Sequence, residues 1–513
     1  MQPAAPICAE PASAACAVGV FRVFMPSVFS DLLEEARLSV RSIADYGDHL
    51  LHPTVRLGVT GLSRAGKTVF ITALVHSLLR GGRLPIFESL TSGRIASARL
   101  EPQPDDTIPR FDYENHLKAL IDERRWPAST VDISELRLVI DYQRESGAMR
   151  TLTLDIVDYP GEWLLDLPLL EKSYEQWSAE SLALSRQGSR QALARQWHAH
   201  LATLDPATRA DEQQALAAAK LFTDYLKACR DERFALSLLP PGRFLLPGNL
   251  AGSPALTFAP LELPEDKDAP GGSLWALMRR RYDSYRSAVV RPFFRDHFAR
   301  LDRQIVMVDA LAAFNAGPDA LHDLEAALGT ILDCFRTGRR TVLSSLLRPR
   351  IDRILFAATK ADNLHHVNHD RLEAVVQRMV RDAAERAQFT GAKIDVVALA
   401  AVRATREASV RHGRDELPSI VGVPAKGETS GGEAFDGETE VATFPGDLPA
   451  DPEKLFENPE AFRGLASANA EGADYRFLRF RPPKLERKDG REPALPHIRL
   501  DRALQFLIGD RLQ

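Results

Sequence analysis

Residues 61–68 read Gly-Leu-Ser-Arg-Ala-Gly-Lys-Thr, and no other stretch limits what this chain can fold into so strongly. The octet fits G-x-x-x-x-G-K-[ST] at every fixed position. A short apolar run at 54–60 precedes it and reads as a strand; 66–79 follows with helical periodicity and stops at Gly81-Gly82. Strand, tight loop and helix start together aim a row of backbone N–H groups at an anion. Glycine backbones let that loop approach phosphate oxygens closely. Ser63, Arg64, Ala65, Gly66, Lys67, Thr68 and Val69 are therefore the expected phosphate-binding residues. Lys67 is expected to reach β- and γ-phosphates, and Thr68 to ligate Mg²⁺.

The rest of the chain alternates strands and helices. Residues 136–143 and 151–157 read as a hairpin turning through Glu145-Ser146-Gly147, and 111–124 as a helix. Strands are predicted at 304–308, 353–358 and 394–399, with helices at 319–336 and 370–387 between them. This alternation predicts a mostly parallel α/β sheet. Between 167 and 303 the pattern becomes helical and charged, with periodic runs at 191–205, 211–230 and 273–301 and a Pro/Gly-rich stretch at 239–272. Residues 30–46 read as an amphipathic helix, 420–423 and 475–480 as strand-like runs, and 498–508 as a closing helix.

Two further motifs follow predicted strands. Asp158-Tyr159-Pro160-Gly161 follows 151–157, which places Asp158 to position Mg²⁺ and the Gly161 N–H to meet a γ-phosphate. Thr359-Lys360-Ala361-Asp362 follows 353–358 and matches the [NT]-K-x-D element that reads guanine. A carboxylate at 362 can accept from guanine N1–H and the 2-amino group, a donor pair that adenine lacks. The Lys360 stem can lie along the ring. Thr130, preferred over Ser129, is expected to sense Mg²⁺ and γ-phosphate, so the expected metal set is Thr68, Thr130 and Asp158. Ala401 and Val402 are expected to pack on the base. Glu162 stands where many small GTPases carry a water-orienting glutamine; a carboxylate beside a triphosphate is repelled, so hydrolysis is expected to be slow or to need another group. Arg64 either leans over the phosphates or pairs with a surface carboxylate. His365, His366 and His369 read either as metal ligands or as a helix start. The expected catalytic set is Lys67, Thr130, Gly161, Glu162 and Arg64.

Taken in order, these motifs resemble the translation-factor and Ras class of P-loop GTPases. The runs GLSRAGKTVFITALVH, VDYPGEWLLDLPLL, FAATKADNLHHVNHDRL and RFLRFRPPKL resemble the YcjX family of bacterial P-loop proteins, from about Met25 to the C-terminus. That resemblance implies binding of GTP and GDP, a cytoplasmic location and an association with the phage-shock type of envelope stress response. The expected fold is α/β: a Ras-like P-loop sheet with a large helical insertion and a small C-terminal α+β element. Its parts are a disordered tail or over-called start (1–24), a first part of the GTPase domain (25–165), the insertion (166–303), a second part (304–402), and a C-terminal element (403–513) with a mobile loop at about 426–469.

Composition narrows the partners. The formal charge of −5 argues against general nucleic-acid binding, and basic clusters such as Arg279-Arg280-Arg281 read as solvated faces. Cys8, Cys16, Cys229 and Cys334 match neither a zinc site nor a disulfide framework, as suits a reducing compartment. No apolar run reaches the length of a spanning helix. Any contact with the inner membrane would be peripheral, through a protein partner such as a membrane protein of the stress response. The expected activity is Mg²⁺-dependent GTP hydrolysis in a nucleotide-controlled switch. Its rivals are a GTP-sensing scaffold with negligible turnover, and an ATPase.

Overall fold

The strand run at 54–60 becomes the centre of the molecule because it is apolar on both faces. It forms β1 (Thr54–Gly61), with its last five residues buried. Such continuous burial is what a parallel sheet covered on both sides requires. The computed structural model describes residues 53–513 except 63, 265–267, 335–350, 389–390, 413–414, 431–432, 458–476 and 488–491. The tail at 1–24, the helix expected at 30–46 and Ser63 lie outside the described residues.

β2 (Ile95–Glu101), β3 (Ser134–Gln143), β4 (Met149–Asp158), β5 (Arg303–Val308), β6 (Arg353–Thr359) and β7 (Lys393–Leu399) join β1 in one sheet. Among the described residues its order is β2-β3-β4-β1-β5-β6-β7. β4, β1, β5, β6 and β7 run parallel, while β3 pairs antiparallel with both β2 and β4. The hairpin read from 136–143 and 151–157 is β3–β4. The edge strand β2 escaped the sequence reading because its side chains are mostly exposed or half-buried and show no clean alternation.

Alternate residues of each strand enter two cores. Val55, Leu57, Val59, Ile305 and Met307 meet the helices Lys67–Arg80, Tyr113–Ile121 and Leu500–Ile508. Val157, Val306, Val308, Phe356 and Ala398 face the helices Pro318–Cys334 and His369–Gln388. Leu500–Ile508, expected in a separate C-terminal element, is thus built into the sheet's own core. Arg303, fully buried, ties it there. Its guanidinium pairs with Asp352 at 3.0 Å and with Asp510, and donates to the Leu507 carbonyl.

Between β4 and β5 the described residues form helices joined by irregular stretches, the longest of these between Arg230 and Leu274. Glu212–Arg230 is capped by Asp211, whose side chain accepts from the Gln213 and Gln214 amides. Leu274–Tyr285 is capped by Ser273 and runs on into a π-turn, Arg286–Val290. Trp177, Trp197, Phe222, Phe258 and Tyr282 pack edge to face and in stacks between these helices. Their cluster is continuous with the core under the sheet. Residues 406–443 carry a three-stranded antiparallel sheet (Arg406–His412, Asp415–Gly422, Val441–Thr443), so part of the stretch read as a loop at 426–469 pairs with its neighbours. No helix among the described residues is long and apolar enough to cross a membrane.

Candidate functional site

Parallel register brings the motifs together. Val59 lies opposite Asp158 and Gly61 opposite Met307, while Val308 lies opposite Ala358. The loops after β1, β4 and β6 therefore leave the sheet at the same carboxyl edge, where open α/β sheets bind ligands.

The P-loop turns tightly out of β1. Arg64 holds left-handed backbone, φ 62°, and the helix starts at Lys67. Lys67 is nearly buried, and its amine donates to the Gly61 carbonyl at 3.0 Å. Ala65 is buried and Val69 half-buried. The Thr68 hydroxyl lies 3.3 Å from that of Thr130, which donates to Asp158 Oδ2 at 2.7 Å. The expected metal set, contributed by three separate stretches of chain, thus converges. Ser129 is exposed, whereas Thr130 reaches inward. Asp158 is buried, and its Oδ1 has no hydrogen-bond partner among the described residues. Burial pushes its carboxyl up to about 6, with Lys67 and Thr130 opposing. An orphaned buried carboxylate oxygen beside two hydroxyls is a donor set that suits Mg²⁺.

Gly161 closes the floor. A Cβ there would sit 2.5 Å from the Gly61 carbonyl oxygen and 3.0 Å from the Leu62 amide, so only glycine brings this turn onto the P-loop backbone. Glu162 follows, 4% exposed. Its carboxylate makes no hydrogen bond among the described residues, but Arg230 Nη2 lies 3.4 Å from its Oε1. Arg64 adopts the paired alternative: its guanidinium meets Glu232, which also meets Arg479 at 3.0 Å.

The stretch expected to read guanine is equally assembled. Thr359 donates to the Val308 carbonyl at 3.2 Å, and Lys360, φ 59°, pairs with Asp309. Asp362 is buried; its Oδ2 accepts from the Ala404 amide at 2.8 Å, and burial raises its pKa. Ala401 and Val402 are buried in the core beside β7. The amide that meets Asp362 comes from Ala404, two residues further along the same loop. His369 donates to the Ala361 carbonyl at 2.9 Å, as a helix-start residue does. His365, His366 and Glu407 bring their ligand atoms within 4.8 Å of one another, but Glu407 is already shared by His366 at 2.8 Å and Arg403 at 3.3 Å.

The insertion grips the segment after Gly161. A Cβ at Gly242 would sit 2.0 Å from the Glu162 carbonyl oxygen, so the two backbones touch. Asp166 accepts from the Gly242 amide at 2.6 Å and from the Tyr285 hydroxyl at 2.5 Å. The Arg243 guanidinium lies over the Trp163 ring, 3.1 Å from its centroid. Sequence reading missed Arg230, Glu232, Gly242, Arg243 and Ala404, because none stands in a motif or a periodic position tied to the site.

Asp166 makes this grip measurable. Burial raises its pKa from 3.8 to about 6. Between those values the folded chain keeps a proton that the unfolded chain has lost, so this carboxyl's contribution to stability falls as pH rises through that window. An asparagine does not titrate, and its single acceptor oxygen cannot serve both donors. Asp166→Asn should cost about 1–3 kcal/mol, and the gap from the native protein should narrow between about pH 4.5 and 7. Urea denaturation at the two pH values checks it; a widening gap would contradict the assignment.

The sheet order and the motifs along its carboxyl edge define a Ras-like α/β protein. Within that class, the YcjX-like family, DUF463, matches residues 55–512, and the chain belongs to this family. It is 38% identical to the "Ras-like GTPase YcjX" of Escherichia coli (strain K12), covering 90% of this chain and 96% of that protein. It is 34% identical to the "Ras-like GTPase YcjX" of Shewanella oneidensis, covering 93% of this chain and 99% of that protein.

Proposed function

We propose that the chain is a GTP-binding switch that hydrolyses GTP slowly. The observation that carries this is the convergence of Lys67, Thr68, Thr130, Asp158, Gly161 and Asp362 on one edge of the sheet, in the order the chemistry needs. Lys67 and the P-loop amides would hold the β- and γ-phosphates, and Asp362 would accept from guanine. Thr68, Thr130 and Asp158 would hold Mg²⁺, which supplies charge neutralisation to the phosphates when bound. Glu162 supports slow turnover: it stands where many small GTPases carry a water-orienting glutamine, and a carboxylate there is repelled by a triphosphate. The relatives' printed names support the GTPase reading. A cytoplasmic protein that docks peripherally on a membrane partner during envelope stress fits the family resemblance.

The switch reading follows from the grip of Gly242, Asp166 and Tyr285 on the segment after Gly161. A γ-phosphate that draws Gly161 toward itself also pulls on this contact. Single-turnover assays should show GTP cleavage in Mg²⁺ that EDTA abolishes. Hydrogen exchange in 166–303 should differ between the GDP and slow-GTP-analogue forms. Identical exchange in the two would defeat the switch, and ATP cleaved in preference to GTP would defeat the guanine reading.

A further inference from the structure

The turn that ends Glu212–Arg230 makes two crossed ion pairs with the nucleotide loops. Arg230 faces Glu162 of the Gly161 loop, Nη2 to Oε1 3.4 Å, and Glu232 takes Arg64 of the P-loop. The two acceptors are unlike. The Arg64–Glu232 pair is more than half exposed, 58% and 51%, whereas the Arg230 side chain is 26% exposed and that of Glu162 5%. A guanidinium in the less solvated position is screened less and acts more strongly on nearby charge. Arg230 also closes a helix, where the backbone dipole favours a cation. Its nearness to the P-loop is felt at Arg64, whose pKa is lowered by burial and then by Arg230 and Arg479. Gly161, directly before Glu162, lies against the Gly61 and Leu62 backbone, so the residue Arg230 faces borders the γ-phosphate position.

We propose that Arg230, carried by the helical insertion, is the cation that stabilises the transferring phosphoryl group, and that Glu162 holds it beside the site until GTP arrives. This rests on the GTPase reading above. In the step, a water oxygen bonds to the γ-phosphorus as the bond to the β–γ bridging oxygen breaks. The water's protons end on inorganic phosphate and solvent, and GDP leaves. Negative charge grows on the bridging oxygen and is shared with the equatorial oxygens, where a guanidinium donates to both. Trading the Glu162 carboxylate for phosphate oxygens moves Arg230 and couples the insertion to chemistry.

Arg230→Ala should lower the single-turnover rate of GTP cleavage on the order of 10³-fold. GDP affinity should stay within about threefold, because GDP lacks the group that Arg230 serves. The variant should also lose capture of GDP with aluminium fluoride, and Arg230→Lys should recover only part of both. Removing Arg230 leaves Glu162 buried and unpaired, so the double variant Arg230→Ala/Glu162→Ala, which removes the carboxylate without adding a water-orienting amide, separates the two roles. If Arg230 is catalytic the double variant stays slow; if Arg230 only neutralises Glu162 it regains the native rate, which would overturn the proposal. A native rate in Arg230→Ala would overturn it too, as would a native protein that binds GTP yet neither cleaves it nor captures aluminium fluoride. Failure of the native protein to bind GTP would instead remove the GTPase reading itself.

Discussion

Lys67→Ala should lower GTP affinity by at least about 100-fold, or ~3 kcal/mol, with the fold intact. The lysine is only 7% exposed, yet its amine meets one backbone carbonyl, Gly61 O, and none of its polar contacts ties distant parts of the chain together. Its charge is therefore available to phosphate at the floor of the P-loop, where a charge-assisted bond in a poorly solvated place is strong. The Thr130 hydroxyl meets Thr68 and Asp158 without a hydrogen bond from Lys67. Titration calorimetry with GTP, beside circular dichroism and thermal melting, checks both halves. Undiminished affinity in a folded variant would remove the phosphate assignment of the loop.

The second large effect concerns base choice. Asp362 is buried, is raised in pKa by that burial, and already accepts from the Ala404 amide through Oδ2. Each carboxylate oxygen has two lone-pair positions, so this bond leaves room for guanine N1–H and the 2-amino group. Xanthine keeps N1–H but offers a carbonyl where guanine has the amine. An asparagine supplies one acceptor and one donor and so matches xanthine. Asp362→Asn should weaken GDP by roughly 30- to 1,000-fold, about 2–4 kcal/mol, and strengthen XDP. ADP should gain little. Competition among GDP, XDP and ADP on both proteins decides the matter: a variant that keeps its guanine preference, or a native protein that prefers ADP, would reduce 359–362 to an ordinary turn.

Much of the site was legible because each chemical motif directly follows a strand. The apolar runs of β1, β4 and β6 mark where the chain leaves the sheet, and Gly61–Thr68, Asp158–Gly161 and Thr359–Asp362 stand at those exits. Parallel strands all leave at one edge, so three linear motifs suffice to predict one site. Thr130 was also legible, as a threonine a few residues before β3; its hydroxyl meets Asp158. Ala401 and Val402 continue the apolar pattern of β7 and are buried with it, and just beyond them the Ala404 amide meets Asp362, a contact that no motif announces.

What the sequence by itself determined is the sheet, its carboxyl-edge loops and the chemistry of the residues on them, since periodicity and short-range spacing record these directly. What only the tertiary structure decided is which parts of the insertion touch that edge. Arg230 reaches Glu162, Glu232 reaches Arg64, and Gly242 lies on the Glu162 backbone, all across long separations in the chain. The tertiary structure also decided that Leu500–Ile508 completes the sheet's core, with Arg303 bonded to its end. These contacts arise from packing of one aromatic and aliphatic core continuous between insertion and sheet. Burial of apolar area is non-directional and leaves no local signature of which surfaces meet, so that pairing exists only once the chain has folded.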